Sequence, residues 1–384
     1  MATACGHPKA QEQASEARTL LPGMPPVVDW TNIYSETAPG KLADAVKSFP
    51  ERVYVPNSTS NTVDVIDPKA FKVIDHFAVG RQPQHVTPSW DMKTLWVLND
   101  LGDSLTRIDP ATGQKQETIP IKDPYNMYYT PDGKYAIVVA ERERALDFYD
   151  AQTMKRPPFR LTVPCRGVDH MDFSADGRYL FASCEFTGEI IKVDVAARAF
   201  VAKLKLPVEN ATGPRKGKRV HHGGGRMPVE NDRMPQDVKT APDGKLVYVA
   251  DMMADGVHVI DAEKLEVTSF IPTGKGAHGL YPSRDAKVLY VSNRDDSSIS
   301  IIDFGTSRVI KKWELPPPAS PDMGGVSADG KVLWLSGRYN KEVYAIDTAD
   351  GKLLARIPVG KGPHGLCVYP QPGRYSLGHT GNFR

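Results

Sequence analysis

Short apolar runs of five to seven residues alternate with turn residues along most of the chain. One stretch reads 279–283, 288–293, 299–303 and 309–315, and the same rhythm recurs on either side of it. Val, Ile, Tyr and Leu dominate each run, and Gly, Asp, Asn or Ser follows it, which is the composition of short strands. No apolar period of 3.6 residues persists long enough to predict a helix.

The runs come in groups of four, and two markers keep them in step. A hydrophobic pair followed by aspartate closes the third run at Asp67, Asp109, Asp150, Asp194, Asp261, Asp303 and Asp347. The spacings are 42, 41, 44, 67, 42 and 44. A turn built around Asp-Gly recurs at Asp91, Asp132, Asp176, Asp243, Asp285 and Asp329, with spacings of 41, 44, 67, 42 and 44. A period near 42 implies propeller blades or a solenoid. Four strands per period selects the propeller. The predicted fold class is therefore all-β: a seven-bladed β-propeller with four antiparallel strands per blade. Residues 52–80 supply second, third and fourth strands without a first. Residues 364–369 supply a lone first strand. The ring is thus expected to close with N- and C-terminal strands in one blade, which removes free edges. Residues 374–377 are left over. Residues 1–40 read as an N-terminal extension and 41–384 as the propeller, with a loop inserted on its top face at about 208–233. The repeated aspartates read as side-chain caps of the turns that follow them.

Phrases such as Tyr54-Val55-Pro56-Asn57, Tyr248-Val249-Ala250-Asp251 and Tyr290-Val291-Ser292-Asn293 resemble the Tyr-Val-Thr-Asn signature of the YVTN family of β-propeller repeats. Val79-Gly80-Arg81-Gln82-Pro83 and Val359-Gly360-Lys361-Gly362-Pro363 carry the same resemblance, which spans about residues 50–384. It implies the propeller fold. It does not choose a function, because similar propellers include the haem d1 domain of cytochrome cd1 nitrite reductase, the propeller of nitrous oxide reductase, and lactonases.

Composition narrows the remaining choices. The chain has 384 residues, a formal charge of +2, 40% hydrophobic and 24% charged residues. Such a chain buries a large core, which excludes disorder throughout. A near-zero charge argues against a nucleic-acid partner. No apolar stretch approaches the ~18 residues of a membrane span. A monomer is expected. Met1-Ala-Thr-Ala-Cys5 resembles the end of a bacterial lipoprotein signal, with an incidental cysteine in a flexible tail as the alternative. With the family resemblance, it implies a secreted, periplasmic or lipid-anchored protein. Cys165 precedes one first strand and Cys184 follows the second. Antiparallel pairing brings those ends together, so a Cys165–Cys184 disulfide is expected, with two free thiols as the alternative. Cys367 reads as a small buried hydrophobe.

The residues that begin each first strand ring the channel mouth. In blade order they are Gln84-His85, Tyr125-Asn126, Asp169-His170, Gln236-Asp237, His278-Gly279, Asp322-Met323 and His364-Gly365. Four pairs contain histidine, the commonest metal ligand. His85, His170, His278 and His364 are therefore candidate ligands for copper, zinc or iron, with His364 and His85 the expected close pair. The bland reading is a polar, water-filled channel. Arg81, Arg166 and Arg294 are candidates for neutralising an anion, and Asn126, Asp169 and Asp237 for binding a small polar ligand. His221 and His222 in the long insertion are candidates to close over it. Asn99, Glu141, Asp251 and Asn293 offer oxygen donors, so calcium is the alternative ion. The leading function is binding of a small polar or anionic ligand, or a metal, at this mouth. The alternatives are a metal-dependent oxidoreductase or lactonase-like hydrolase on the same face, and a protein-interaction scaffold.

Overall fold

The computed structural model describes residues 19–155, 158–207, 220–222, 225–227 and 232–384. Seven blades, each with four antiparallel strands of its own, surround a central channel, and one of them is extended to a six-stranded sheet. Blade 1 takes its innermost strand, Cys367–Tyr369, from the C-terminal part of the chain. Its other strands are Arg52–Asn57, Thr62–Asp67 and Lys72–Ala78. Three residue pairs make the seam: Arg52 with Tyr369, Val53 with Val368, and Tyr54 with Cys367. The closure read from the sequence is thus present. The innermost strands of blades 2 to 7 are Pro83–Pro88, Pro124–Tyr129, Val168–Phe173, Pro235–Thr240, Ala277–Pro282 and Pro321–Val326.

The middle strands are buried on both faces because each blade packs against two neighbours. In blade 6, Leu289, Val291 and Ile302 pack against blade 5 and Tyr290, Ile299 and Ile301 against blade 7, while the outermost strand Arg308–Glu314 is mostly exposed. Seven apolar clusters hold the ring, one at each blade interface. Val53, Val55 and Ile66 of blade 1 meet Trp334, Val343 and Ala345 of blade 7. Leu98 and Leu105 of blade 2 meet Met127, Tyr129 and Val138 of blade 3. Each fully buried side chain of this size contributes about 1.5–3 kcal/mol. Polar ties cross the same interfaces. The Tyr128 hydroxyl accepts from the Met171 amide at 3.0 Å, and the Tyr281 hydroxyl from the Gly324 amide at 2.7 Å.

The repeat aspartates cap turns as expected. Asp67 Oδ1 accepts from the Lys69 amide, and Asp303 Oδ1 from the Thr306 amide, both at 2.8 Å. Cys165 and Cys184 form a disulfide with Cα atoms 6.0 Å apart, and Cys367 is a buried free cysteine.

Two segments outside the repeat close the lower end of the channel, where the innermost strands finish. Residues 19–49 run beneath the blades as a strap. The Leu21 amide donates to Asp176 O, the Ile33 amide to Pro242 O, and Leu42 bridges to Gly373. The last residues are not left over. Ser376–Gly378 and Asn382–Phe383 add two short strands to blade 3 from inside the channel, with Gly378 opposite Tyr128. Gly378 has φ +90°, and a Cβ there would lie 2.5 Å from Met127 O, so only glycine permits this approach.

In the long insertion, Val220–His222 pairs antiparallel with Gly225–Met227. No helix is long and apolar enough to cross a membrane among the described residues.

Candidate functional site

An irregularity recurs at the start of the innermost strands. The register shifts between Pro83 and His85, Pro124 and Asn126, Val168 and Met171, Pro235 and Val238, Ala277 and Leu280, and Pro321 and Gly324. A bulge re-aims side chains and bends its strand. His85, Asn126, Asp169, His170, Asp237 and His278 occupy these shifts, and His364 precedes the innermost strand of blade 1.

The four predicted histidines come together, and a fifth joins them. His85 lies at the centre, its ring centroid 4.9 Å from His364, 5.4 Å from His170 and 5.2 Å from His379. His170 and His379 are 4.9 Å apart, and His278 and His364 are 6.1 Å apart. All five are buried. Gly365 makes the packing feasible, because a Cβ there would lie 2.0 Å from His85 Nδ1. His379 was missed because the tail belongs to no repeat, so the period gives it no address. Its backbone amide donates to Met127 O at 2.8 Å, which lifts the ring into the cluster.

Two groups of three side chains have metal-ligand chemistry and spacing. In each of them, His170–Asp237–His379 and His278–Asp322–His364, one ligand atom per residue lies within 4.8 Å of the others. The two differ in what touches them. Asn126 Nδ2 lies 3.2 Å from His170 Nδ1 and 3.0 Å from His379 Nδ1. Asp237 is held by the Val238 and Leu280 amides, both at 2.9 Å. His379 Nε2 and Asp237 Oδ1 are 3.9 Å apart, and His379 Nε2 has no hydrogen-bond partner among the described residues. Asp169 Oδ1 lies 3.1 Å from His170 Nε2. In the other group Arg294 Nε and Nη2 donate to Asp322 Oδ1 at 2.9 and 2.5 Å, and Nη2 also donates to His278 Nε2.

Burial sets the charge states. It drives His364 and His379 well below the usual histidine value, helped by Arg338 and His85 for the first and by His170 and His85 for the second. Both are therefore neutral imidazoles at neutral pH. Burial pushes Asp237 up to about 6 and Glu185 up to about 7. Burial also lifts Asp169 and Glu141 well above the carboxylate range, reinforced by the neighbouring charge of Glu185. For Arg294, burial works against the charge, but Asp322 more than restores it.

The other sequence candidates fall elsewhere. Arg81 is exposed, its Nη2 donating to Leu101 O at 3.0 Å. Arg166 is partly exposed, and its carbonyl accepts from the Phe186 amide at 3.2 Å. His221 and His222 sit in the two-stranded ribbon, and their side chains lie outside what is described. Of the oxygen donors considered for calcium, Asn99 and Asn293 are anchored through Nδ2 and keep Oδ1 without a hydrogen-bond partner among the described residues, whereas Asp251 Oδ1 is spent within its blade. Asn99 Nδ2 donates to Ser104 and Thr106, and Asn293 Nδ2 to Ser298 and Ser300. Asp251 Oδ1 accepts from the Met234, Met253 and Ala254 amides, each at 3.0 Å.

A family model described as YNCE-like beta-propeller matches residues 19–211 and 226–373. A Salmonella typhi protein with the name YncE is 23% identical over 285 residues, covering 71% of this chain and 73% of that protein. Two solved structures share the fold. Hydrazine synthase of Kuenenia stuttgartiensis is 19% identical, with a TM-score of 0.63 over 88% of this chain and 99% of that one. The dihydro-haem d1 dehydrogenase NirN, solved in complex with DHE, is 17% identical, with a TM-score of 0.57 over 86% of this chain and 77% of that one.

Proposed function

The chain belongs to the YncE-like β-propeller family, and we propose that its channel holds a divalent transition metal, zinc or copper, at His170, Asp237 and His379. The observation that carries this reading is the buried approach of three ligand atoms to within 4.8 Å of one another. Tetrahedral bonds of 2.0–2.1 Å separate ligands by about 3.4 Å, so loading closes the group by roughly an ångström. Neutral imidazoles and a carboxylate in a dry pocket are costly when they face one another empty-handed, and a cation offsets that cost. Two histidines and one aspartate leave a fourth position open, as catalytic and ligand-exchanging zinc sites do. A small polar or anionic ligand entering from the upper face takes that position, beside Asp169 and His85. The disulfide supports an exported protein in an oxidising compartment.

Asn126 orients the two imidazoles. With its amide nitrogen facing both Nδ1 atoms, each ring carries its proton on Nε2. A metal at Nε2 needs the carboxamide turned over, so that its oxygen accepts Nδ1–H from both rings. The His278–Asp322–His364 group is not a second metal site in this reading. The Arg294 guanidinium already occupies the cation's place between His278 and Asp322.

The test is calorimetric titration of chelator-stripped protein with zinc and with copper. One equivalent binds to wild type and to His76→Ala, whose histidine lies on an outer strand with its side chain 56% exposed. His170→Ala and His379→Ala weaken binding at least 100-fold, and Asn126→Asp tightens it. Equal affinity in wild type and His379→Ala defeats the assignment.

A further inference from the structure

Below the histidines the channel divides. The tail fills the side of blades 2 to 4, where Ser376 Oγ donates to Pro88 O at 3.2 Å and Arg384 pairs with Asp172 at 3.0 Å. On the side of blades 5 to 7 a chamber of about 40 Å³ remains. Lys239, Leu280, Tyr281, Arg284, Gly324 and His379 line it, and the strap residues Tyr34 and Thr37 border it below. One water needs about 10–15 Å³ measured this way. The chamber therefore holds an object the size of chloride or formate.

Its wall is cationic. Lys239 is 4% exposed. Its Nζ donates to the neutral Asn382 Oδ1. Arg284 Nε donates to Ser327 O at 3.0 Å, and Nη2 donates to Val326 O at 2.6 Å and Gln371 Oε1 at 3.0 Å. No carboxylate oxygen lies within 4.0 Å of either cation among the described residues, although Asp237 stands two residues from Lys239 and feels its charge. Burial pulls the Arg284 guanidinium down to about 10, and the charge of Asp329 only partly opposes this. A buried lysine and a partly buried arginine that share one wall with no carboxylate in contact are costly. A ligand of opposite charge relieves them, and the chamber has room for one.

We propose that this chamber is a binding site for one small monovalent anion of chloride or formate size, held between Lys239 and Arg284. The site is distinct from the metal position above it, with His379 as the shared wall, and it stands whether or not the channel binds metal.

Crystals of the wild-type protein soaked in sodium bromide test it directly. An anomalous peak inside the chamber is expected, and it disappears in Lys239→Gln. In solution, replacing 200 mM sodium gluconate by sodium chloride raises the Tm of wild type by several degrees at constant ionic strength. The same exchange leaves Lys239→Gln unmoved. If that variant does not fold, the wild-type bromide map alone decides. Bromide peaks confined to surface lysines, or equal Tm in the two salts, overturn the proposal.

Discussion

Single residues in this channel are governed by burial before anything else. Glu185 is buried, accepts from Gln236 Nε2 at 3.0 Å, and has its carboxyl pushed from the usual 4.5 up to about 7. Its folded pKa lies above its unfolded one, so the folded state binds the proton more tightly. The resulting stability is fully present below about pH 4.5 and is lost as the pH rises through about 7. Glu185→Gln keeps an acceptor for Gln236 but cannot ionise. In metal-free protein the variant and wild type should match at pH 5. By pH 8 the variant should be more stable, by on the order of 2–3 kcal/mol. Urea denaturation at the two pH values measures it, and a constant difference contradicts the charge argument. His364 and His379 carry the opposite sign. Their folded values are depressed, so the stability they contribute above about 6.5 is lost as the pH falls. Both effects come from the same dry environment, which is why it favours neutral imidazoles and protonated carboxyls together.

At the scale of the strand and hairpin, the sequence was most readable where the repeat enforces geometry. The disulfide shows how far that reach extends. Its cysteines are 19 residues apart and flank one hairpin, and the predicted strand ends placed them together. A loop of that length contributes up to about 3 kcal/mol through the unfolded state. Cys165→Ala/Cys184→Ala should lower unfolding free energy by up to that amount, with the blade retained. No change would mean that the Val168–Cys184 pairing already holds the hairpin closed. The same repeat logic located His85, His170, His278 and His364, because each stands at or just before the start of its blade's innermost strand. It gave no address to His379, whose segment pairs with blade 3 by a contact that no repeat encodes. Nor could it distinguish the two His–Asp–His groups. Arg294 lies one residue past the second strand of blade 6, and only folding reveals that it fills one group and leaves the other open. Loop residues such as Arg81 and Arg166 looked equivalent to Arg294 in sequence. They differ in burial, which a loop's sequence does not fix.

For the whole molecule, closure and site completion depend on adjacent parts of one C-terminal stretch, so they should separate by truncation. Residues 363–369 complete blade 1. The His364 amide donates to Pro56 O at 3.1 Å, and three seam pairs follow. Residues 374–384 form none of the seam pairs, although Phe383 packs beside Tyr54, Cys367 and Tyr369, and they carry His379 and the Arg384–Asp172 bridge. A chain ending at 373 should therefore keep its ring and its far-ultraviolet β signature. It should elute as wild type on size exclusion, melt at a lower temperature, and bind no stoichiometric metal. A chain ending at 360 loses the innermost strand of blade 1 and exposes the edge of Arg52–Asn57 to the solvent of an opened channel. An unpaired apolar edge recruits another, so this chain should aggregate or fail to fold. If the 373 truncation behaves like the 360 truncation, the tail rather than the seam closes the ring. If the 360 truncation stays monomeric and cooperative, six blades and the lower strap suffice. The seam would then be a reinforcement, and the metal ligand carried by the tail would be the main reason for the chain to continue past residue 373.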